Sequence, residues 1–423
     1  MRWWMAALIV AAVGGVWVWC EFTEFVFRGY LELASSVVGG LLLGLWYVFF
    51  TGLPWRRRIG LFFGGVLVLG VLVACGVTFL RVEGSVDGGS LPRLVWKDAP
   101  KPGEGIDALE VGGEVEVTSG SESWPGYLGP SRDGIAEGGW ELGAPELHWR
   151  REIGLGWSGF VVKNGLAITQ EQRGEEELVS AYALETGEPV WVHGDEARFS
   201  EHFGGDGPRA TPTISGGRVY AQGATGILNC LELGSGEIVW STDIFEYCEG
   251  GNQEWGKSNS PLVVGESVIV TGGTNGPGLL CFSATDGALK WTAGDGVSPS
   301  YSSPMLAELG GVEQIVVVNE QLVTGHATGD GSKLWEYSWP KKFPKVAQPQ
   351  RLGEGRLLLT TGYGADSFLI QITRAGDEWV VDEEWRSNRM KTKFSSAIVH
   401  GGFAYGLDEG RFSCIDLANG KRL

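Results

Sequence analysis

Eight residues have the types and neighbours that binding chemistry would need: His202, Arg209, Glu254, Trp255, Lys257, Asn259, Tyr301 and Lys393. Each precedes an apolar segment, or lies in a loop leading to one, and those segments open with small or hydroxyl residues. Examples are Ala210-Thr211-Pro212-Thr213, Ser258-Asn259-Ser260-Pro261 and Ser302-Ser303-Pro304. If Arg209, Lys257 and Lys393 converge, they make a cationic site for a carboxylate or phosphate, which requires heads within about 10 Å of one another. The plainer alternative is that they satisfy backbone carbonyls beside a wet channel. His202 reads as a loop hydrogen-bonder. No catalytic or metal-binding residue is assigned: there is no Cys-x-x-Cys or Cys/His cluster, no Gly-x-Ser-x-Gly elbow and no phosphate-binding glycine loop.

The elements that must hold these residues follow from a repeat. Segments LVSAYALETGEPVW, ILNCLELGSGEIVW, GLLCFSATDGALKW and LVTGHATGDGSKLW end at Trp191, Trp240, Trp291 and Trp335, spaced by 49, 51 and 44 residues, and a looser copy ends at Trp385. Each is an alternating apolar run, a polar turn with Gly four residues before Trp, and a second short run, which is the pattern of a hairpin. A period of about 40 to 50 residues built from strands points to propeller blades. One blade cannot cover a flat indole by itself, so each Trp is expected to pack on the next blade. The fold is therefore all-β, a propeller of four-stranded blades, with about six present.

These segments resemble the PQQ-like β-propeller repeat, approximately Ala-x-Asp-x-x-Thr-Gly-x-x-x-Trp, and AYALETGEPVW at Ala181 to Trp191 fits best with Leu184 at the Asp position. The resemblance runs from about Trp124 to the C-terminus, and Trp124-Pro125 to Gly129-Pro130 is similar to the opening of such bacterial propellers. ELHWRREI, Glu146 to Ile153, has the character of an outermost strand that completes a shared last blade. RFSCIDLANGKRL stops one residue short of its Trp, so the ring is expected to be incomplete and the chain truncated. Relatives that are quinoprotein dehydrogenases hold PQQ between a flat Trp and an adjacent-cysteine disulfide, with calcium or a lanthanide on Glu, Asn and Asp. Other relatives scaffold outer-membrane barrel assembly. This chain has six cysteines and no adjacent pair. Cys230, Cys281 and Cys414 occupy one position in different blades, too far apart to bridge, and Cys248 stands in a polar loop.

Residues 1–80 are membrane-like, with uncharged stretches at Trp3 to Trp19, Ser35 to Trp55 and Ile59 to Leu80, each long enough to cross about 30 Å of hydrocarbon as a helix. Arg56, Arg57 and Arg58 place their connection in the cytoplasm and everything from Arg81 outside. Trp19 is too large for a signal-peptide cleavage site, and the lipobox-like Leu72 to Cys75 lies far from the N-terminus. Residues 81–120 read as a flexible linker and 121–423 as the propeller. The net charge is −18; residues 1–80 carry five arginines against three glutamates, so the remainder carries −20. That excludes nucleic acid as a partner. The expected role is a membrane-anchored, extracytoplasmic, non-catalytic scaffold for an envelope or membrane protein, with no cofactor. The alternatives are a PQQ- and calcium-dependent dehydrogenase and a small-anion sensor.

Overall fold

The computed structural model describes residues 3–23, 28–50, 52, 54–85, 92–100, 103, 109–111, 123–136, 143, 146–201, 204–339, 343–363 and 365–423. Two units are each compact on their own: Met1–Lys101 with His202–Gly205, and Pro102–Glu201 with Asp206–Leu423.

The first unit contains α1 (Trp3–Thr23), α2 (Arg28–Phe50) and α3 (Trp55–Phe79), followed by an antiparallel hairpin of β1 (Leu80–Ser85) and β2 (Pro92–Trp96). α1 and α3 have the length and apolarity to cross a membrane, while the apolar part of α2, Ala34–Phe50, is shorter. The middle stretch ends at Phe50 and not at Trp55, because Pro54 caps the start of α3. The hairpin falls inside the segment expected to be linker, whose Gly, Pro and charge content hid two short strands.

The second unit is a series of antiparallel meanders. Blade 1 has five strands, β3 (Ser123–Trp124), β4 (Val161–Lys163), β5 (Leu166–Arg173), β6 (Glu176–Ala183) and β7 (Pro189–Asp195). Blade 2 has β8 (Thr213–Ser215), β9 (Arg218–Gln222), β10 (Ile227–Glu232) and β11 (Ile238–Asp243), and blade 3 has β12 (Leu262–Val264), β13 (Ser267–Thr271), β14 (Pro277–Ser283) and β15 (Leu289–Asp295). Blade 4 has β16 (Met305–Leu309), β17 (Val312–Val318), β18 (Leu322–Ala327) and β19 (Lys333–Ser338). Blade 5 has β20 (Gln350–Leu352), β21 (Arg356–Leu359), β22 (Ser367–Ala375) and β23 (Glu378–Ser387), and blade 6 has β24 (Ile398–His400), β25 (Phe403–Asp408) and β26 (Arg411–Asp416).

The recurrent Trp stacks blade on blade. Gly187, Gly236, Gly287, Gly331 and Gly420 all have φ near +70°, the left-handed region a side chain resists. Against them lie Trp149, Trp191, Trp240, Trp291 and Trp385 respectively. A Cβ on Gly287 would come 2.8 Å from Trp240 Cδ2, so glycine serves both the turn and the indole. The indole N–H of Trp191 donates to Leu233 O at 3.0 Å, Trp240 to Ala284 O at 3.1 Å and Trp385 to Leu417 O at 2.7 Å. Opposite these rings, Ala181, Cys230 and Cys281 pair with Trp191, Trp240 and Trp291, and their small size leaves room for the indole. Trp335 differs. It is buried among Leu357, Leu359 and Ile370 of blade 5, but its N–H turns back to Gln314 of its own blade. Blade 5 has a longer outer hairpin, with pairing that runs from Ser367↔Ser387 to Ala375↔Glu378.

Trp149 behaves like a recurrent Trp without a strand. Its N–H donates to Leu184 O at 2.9 Å, yet residues 146–153 form no strand. The outermost strand expected at Glu146 to Ile153 is therefore not formed, and the extra strand of blade 1 is β3, added on the inner side of β4.

Candidate functional site: the channel mouth

The inner strands start from one ring of backbone donors and hydroxyl acceptors. Gly159 N–H donates to Thr211 Oγ1 at 3.1 Å, Thr211 N–H to Ser260 Oγ at 3.0 Å, Ser260 N–H to Ser303 Oγ at 2.9 Å, and Gln348 N–H to Ser396 Oγ at 3.0 Å. Gln348 also donates through Nε2 to Ser303 O at 3.1 Å, joining blades 4 and 5. Small and hydroxyl residues stand here because each hydroxyl satisfies a buried N–H of the preceding blade.

Below this ring, the segment Trp124 to Ile135 lies across the axis. Ile214 N–H donates to Pro125 O at 2.7 Å, and the Tyr127 phenol shares a hydrogen bond with Ser396. The Arg132 guanidinium, 6% exposed, donates to Ser260 O at 3.2 Å, Pro304 O at 2.9 Å and Pro261 O. One side chain thus gathers carbonyls from blades 3 and 4. Burial brings its pKa down to about 10, so it stays charged at neutral pH.

Because each blade is a meander, the connections between blades and the loops joining second to third strands share one end, the mouth. Lys257 sits there but is 0% exposed. Its Nζ donates to Thr271 Oγ1 at 2.7 Å and Gly272 O at 2.8 Å, and burial lowers its pKa to about 7, a drop that Cys248 partly offsets. Asn259 is equally enclosed, donating to Ser300 O at 3.2 Å and Ser302 O at 2.5 Å while accepting from Thr271 Oγ1 at 2.7 Å. The Arg209 guanidinium lies 4.5 Å over the Phe199 ring, and burial lowers its pKa against the pull of Glu201, Glu177 and Asp206. Lys393 Nζ lies 5.8 Å over the Tyr363 ring. Each cation thus has its own partners, and Lys257 has no ammonium hydrogen facing solvent. His202 lies outside the described residues.

Aromatic rings also meet at the mouth. Trp255 and Tyr301 have centroids 5.3 Å apart, with Trp255 N–H donating to the Tyr301 hydroxyl at 3.4 Å, and burial raises the Tyr301 phenol to about 12. Phe343 stacks on Tyr363 at 6.3 Å, and Tyr363 meets Phe394 edge-on at 6.3 Å. Trp255, Tyr301, Phe343 and Tyr363 are half-buried and Phe394 is 54% exposed. Glu254 is exposed beside Trp255. Phe343, Tyr363 and Phe394 were not among the residues expected from sequence. One of them carried a readable signal, since Phe394, like the expected Tyr301, stands four residues before the first residue of an inner strand, Ile398 and Met305 respectively. A cleft of about 840 Å³, lined by Tyr247, Cys248, Asn275 and Asp295 among others, opens among the mouth-end loops around blade 3.

A quinone with its metal does not fit this donor set. The amide of Asn259 and the ammonium of Lys257 are consumed by protein groups, all six cysteines are free, and among the described residues no three His, Cys, Asp or Glu side chains group to hold a metal ion.

Successive antiparallel meanders, four of them four-stranded, locked by Trp on a Gly turn define a propeller of PQQ-like repeats. The family profile described as outer membrane protein assembly factor BamB matches residues 175–423, and the chain belongs to that family. A search of curated sequences found no match. Among solved structures it is similar to BamB from Moraxella catarrhalis, at 16% identity over 63% of this chain and 71% of that one, with a TM-score of 0.45. A europium-containing methanol dehydrogenase matches at 11% identity over 62% and 67%, TM-score 0.45. The quinohemoprotein alcohol dehydrogenase from Comamonas testosteroni matches at 13% over 71% and 72%, TM-score 0.39.

Proposed function

We propose that this chain is a membrane-tethered propeller on the extracytoplasmic side that docks an envelope protein at its mouth and has no catalysis of its own. The observation that carries this reading is the partly exposed rings at the mouth, Trp255 with Tyr301, and Tyr363 with Phe343 and Phe394 beside Lys393. Trp, Tyr and Arg dominate the energetics of protein interfaces, because rigid rings bury large area at little entropic cost. Family membership supports the same reading, as do the apolar helices α1 and α3. Arg56 to Arg58 at the start of α3 favour a cytoplasmic start for that helix, and hence an outward propeller. The anion-sensor alternative loses Lys257, which is enclosed.

The enzyme alternative is tested by adding PQQ with calcium to the full chain in detergent. No bound-quinone absorbance and no dye reduction with alcohols or sugars are expected, and a clear signal in both would overturn the scaffold reading.

A further inference from the structure

The β1–β2 hairpin is amphipathic. Leu80 pairs with Trp96 and Val82 with Leu94, so these four apolar side chains share one face, while Arg81, Glu83 and Val95 take the other. Three side chains of the apolar face are exposed: Val82 39%, Leu94 56% and Trp96 62%. Yet the hairpin is not a loose tether. Lys97 N–H donates to Phe79 O at 2.8 Å and Lys97 Nζ to Val77 O at 2.7 Å, satisfying carbonyls of the last turn of α3. Arg81 ties the strand ends together, donating to Lys97 O at 3.0 Å, Ala99 O at 2.9 Å and Pro100 O at 2.9 Å and pairing with Glu83 at 2.8 Å.

We propose that this apolar face lies in the lipid headgroup layer of the outer leaflet and fixes the exit of α3, an inference that rests on the membrane reading above. The page favours lipid over a protein for a reason of length. α3 has 25 residues, about 37 Å at 1.5 Å per residue, against a hydrocarbon core of about 30 Å. Its last turn therefore already stands at the interface, and the Leu80–Trp96 pair follows without a break. A Trp with aliphatic neighbours on one face matches what the interface takes up, since the ring prefers the headgroup level.

The test places an environment-sensitive fluorophore on single cysteines of the full chain in phosphatidylcholine and phosphatidylglycerol nanodiscs, with Cys75, Cys248 and Cys414 replaced by serine. Val82→Cys and Leu94→Cys probe the apolar face, Arg93→Cys the opposite face, and Leu67→Cys the middle of α3. Labels at positions 82 and 94 should emit to the blue of that at 93 and be quenched at least about twofold more by nitroxide lipids. Equal quenching by aqueous iodide at 82, 93 and 94 would overturn the inference. Protection of 82 and 94 from both quenchers would also overturn it, by showing a protein cover. A label at 67 untouched by nitroxide lipids would instead remove the spanning reading on which the inference rests.

Discussion

Lys257 is a buried amine that donates two hydrogen bonds, to Thr271 Oγ1 and Gly272 O. Its folded pKa of about 7 lies below the ordinary 10.5, so between those values the unfolded chain holds a proton that the folded chain has released. Stability should therefore rise with pH from about 7 to about 10.5, and below 7 the burial penalty is present in full. Lys257→Met should flatten part of that rise, measured by urea unfolding of the propeller at several pH values. Lys345, lowered to about 8 by burial, has the same sign and leaves a residual slope. A slope unchanged in the variant would mean that the ammonium reaches water. The position of Lys257 before an inner strand was legible in the sequence. The direction of its head was not, because Thr271 and Gly272, which accept it, belong to the next strand and its exit loop.

The blade is the element that the sequence declares most openly, since Gly four residues before Trp encodes both the turn and the surface the preceding indole covers. Gly287→Ala should cost about 2 kcal/mol or more, combining left-handed strain with displacement of Trp240. Ser260→Ala should cost about 1–2 kcal/mol, because it strips the acceptor from the buried Thr211 N–H, as chemical unfolding would show. The hydroxyl residues that open the inner strands recur in the sequence, but their role as acceptors does not show there, and no repeat announced the β1–β2 hairpin. The ring uses residues that also read as ordinary small packing. The hairpin is held by Arg81 and Lys97, which in the sequence look like linker charge. Trp335 shows where the pattern misleads: it follows Gly331 by the usual four residues, but its N–H bonds Gln314 of its own blade.

At the scale of the molecule, blades stacked by neighbour contacts alone would be a one-dimensional array, and Trp124 to Ile135 gives them a common centre. Arg132→Ala should leave the carbonyls of Ser260, Pro261 and Pro304 bare and cost about 3 kcal/mol or more, with Arg132→Lys intermediate because it keeps the charge and loses the fork. Thermal unfolding in detergent reads both. With the centre filled by this segment and Lys257 and Asn259 turned inward, the mouth offers rings to a partner. The most direct measurement is photo-crosslinking in intact membranes from a benzoylphenylalanine placed at Trp255, with Asp286 on the opposite turn face as control. The account predicts a discrete envelope-protein adduct from position 255, lost when Tyr363 and Phe394 are changed to alanine, and none from 286. Equal adducts from both faces, or none from 255, would contradict it.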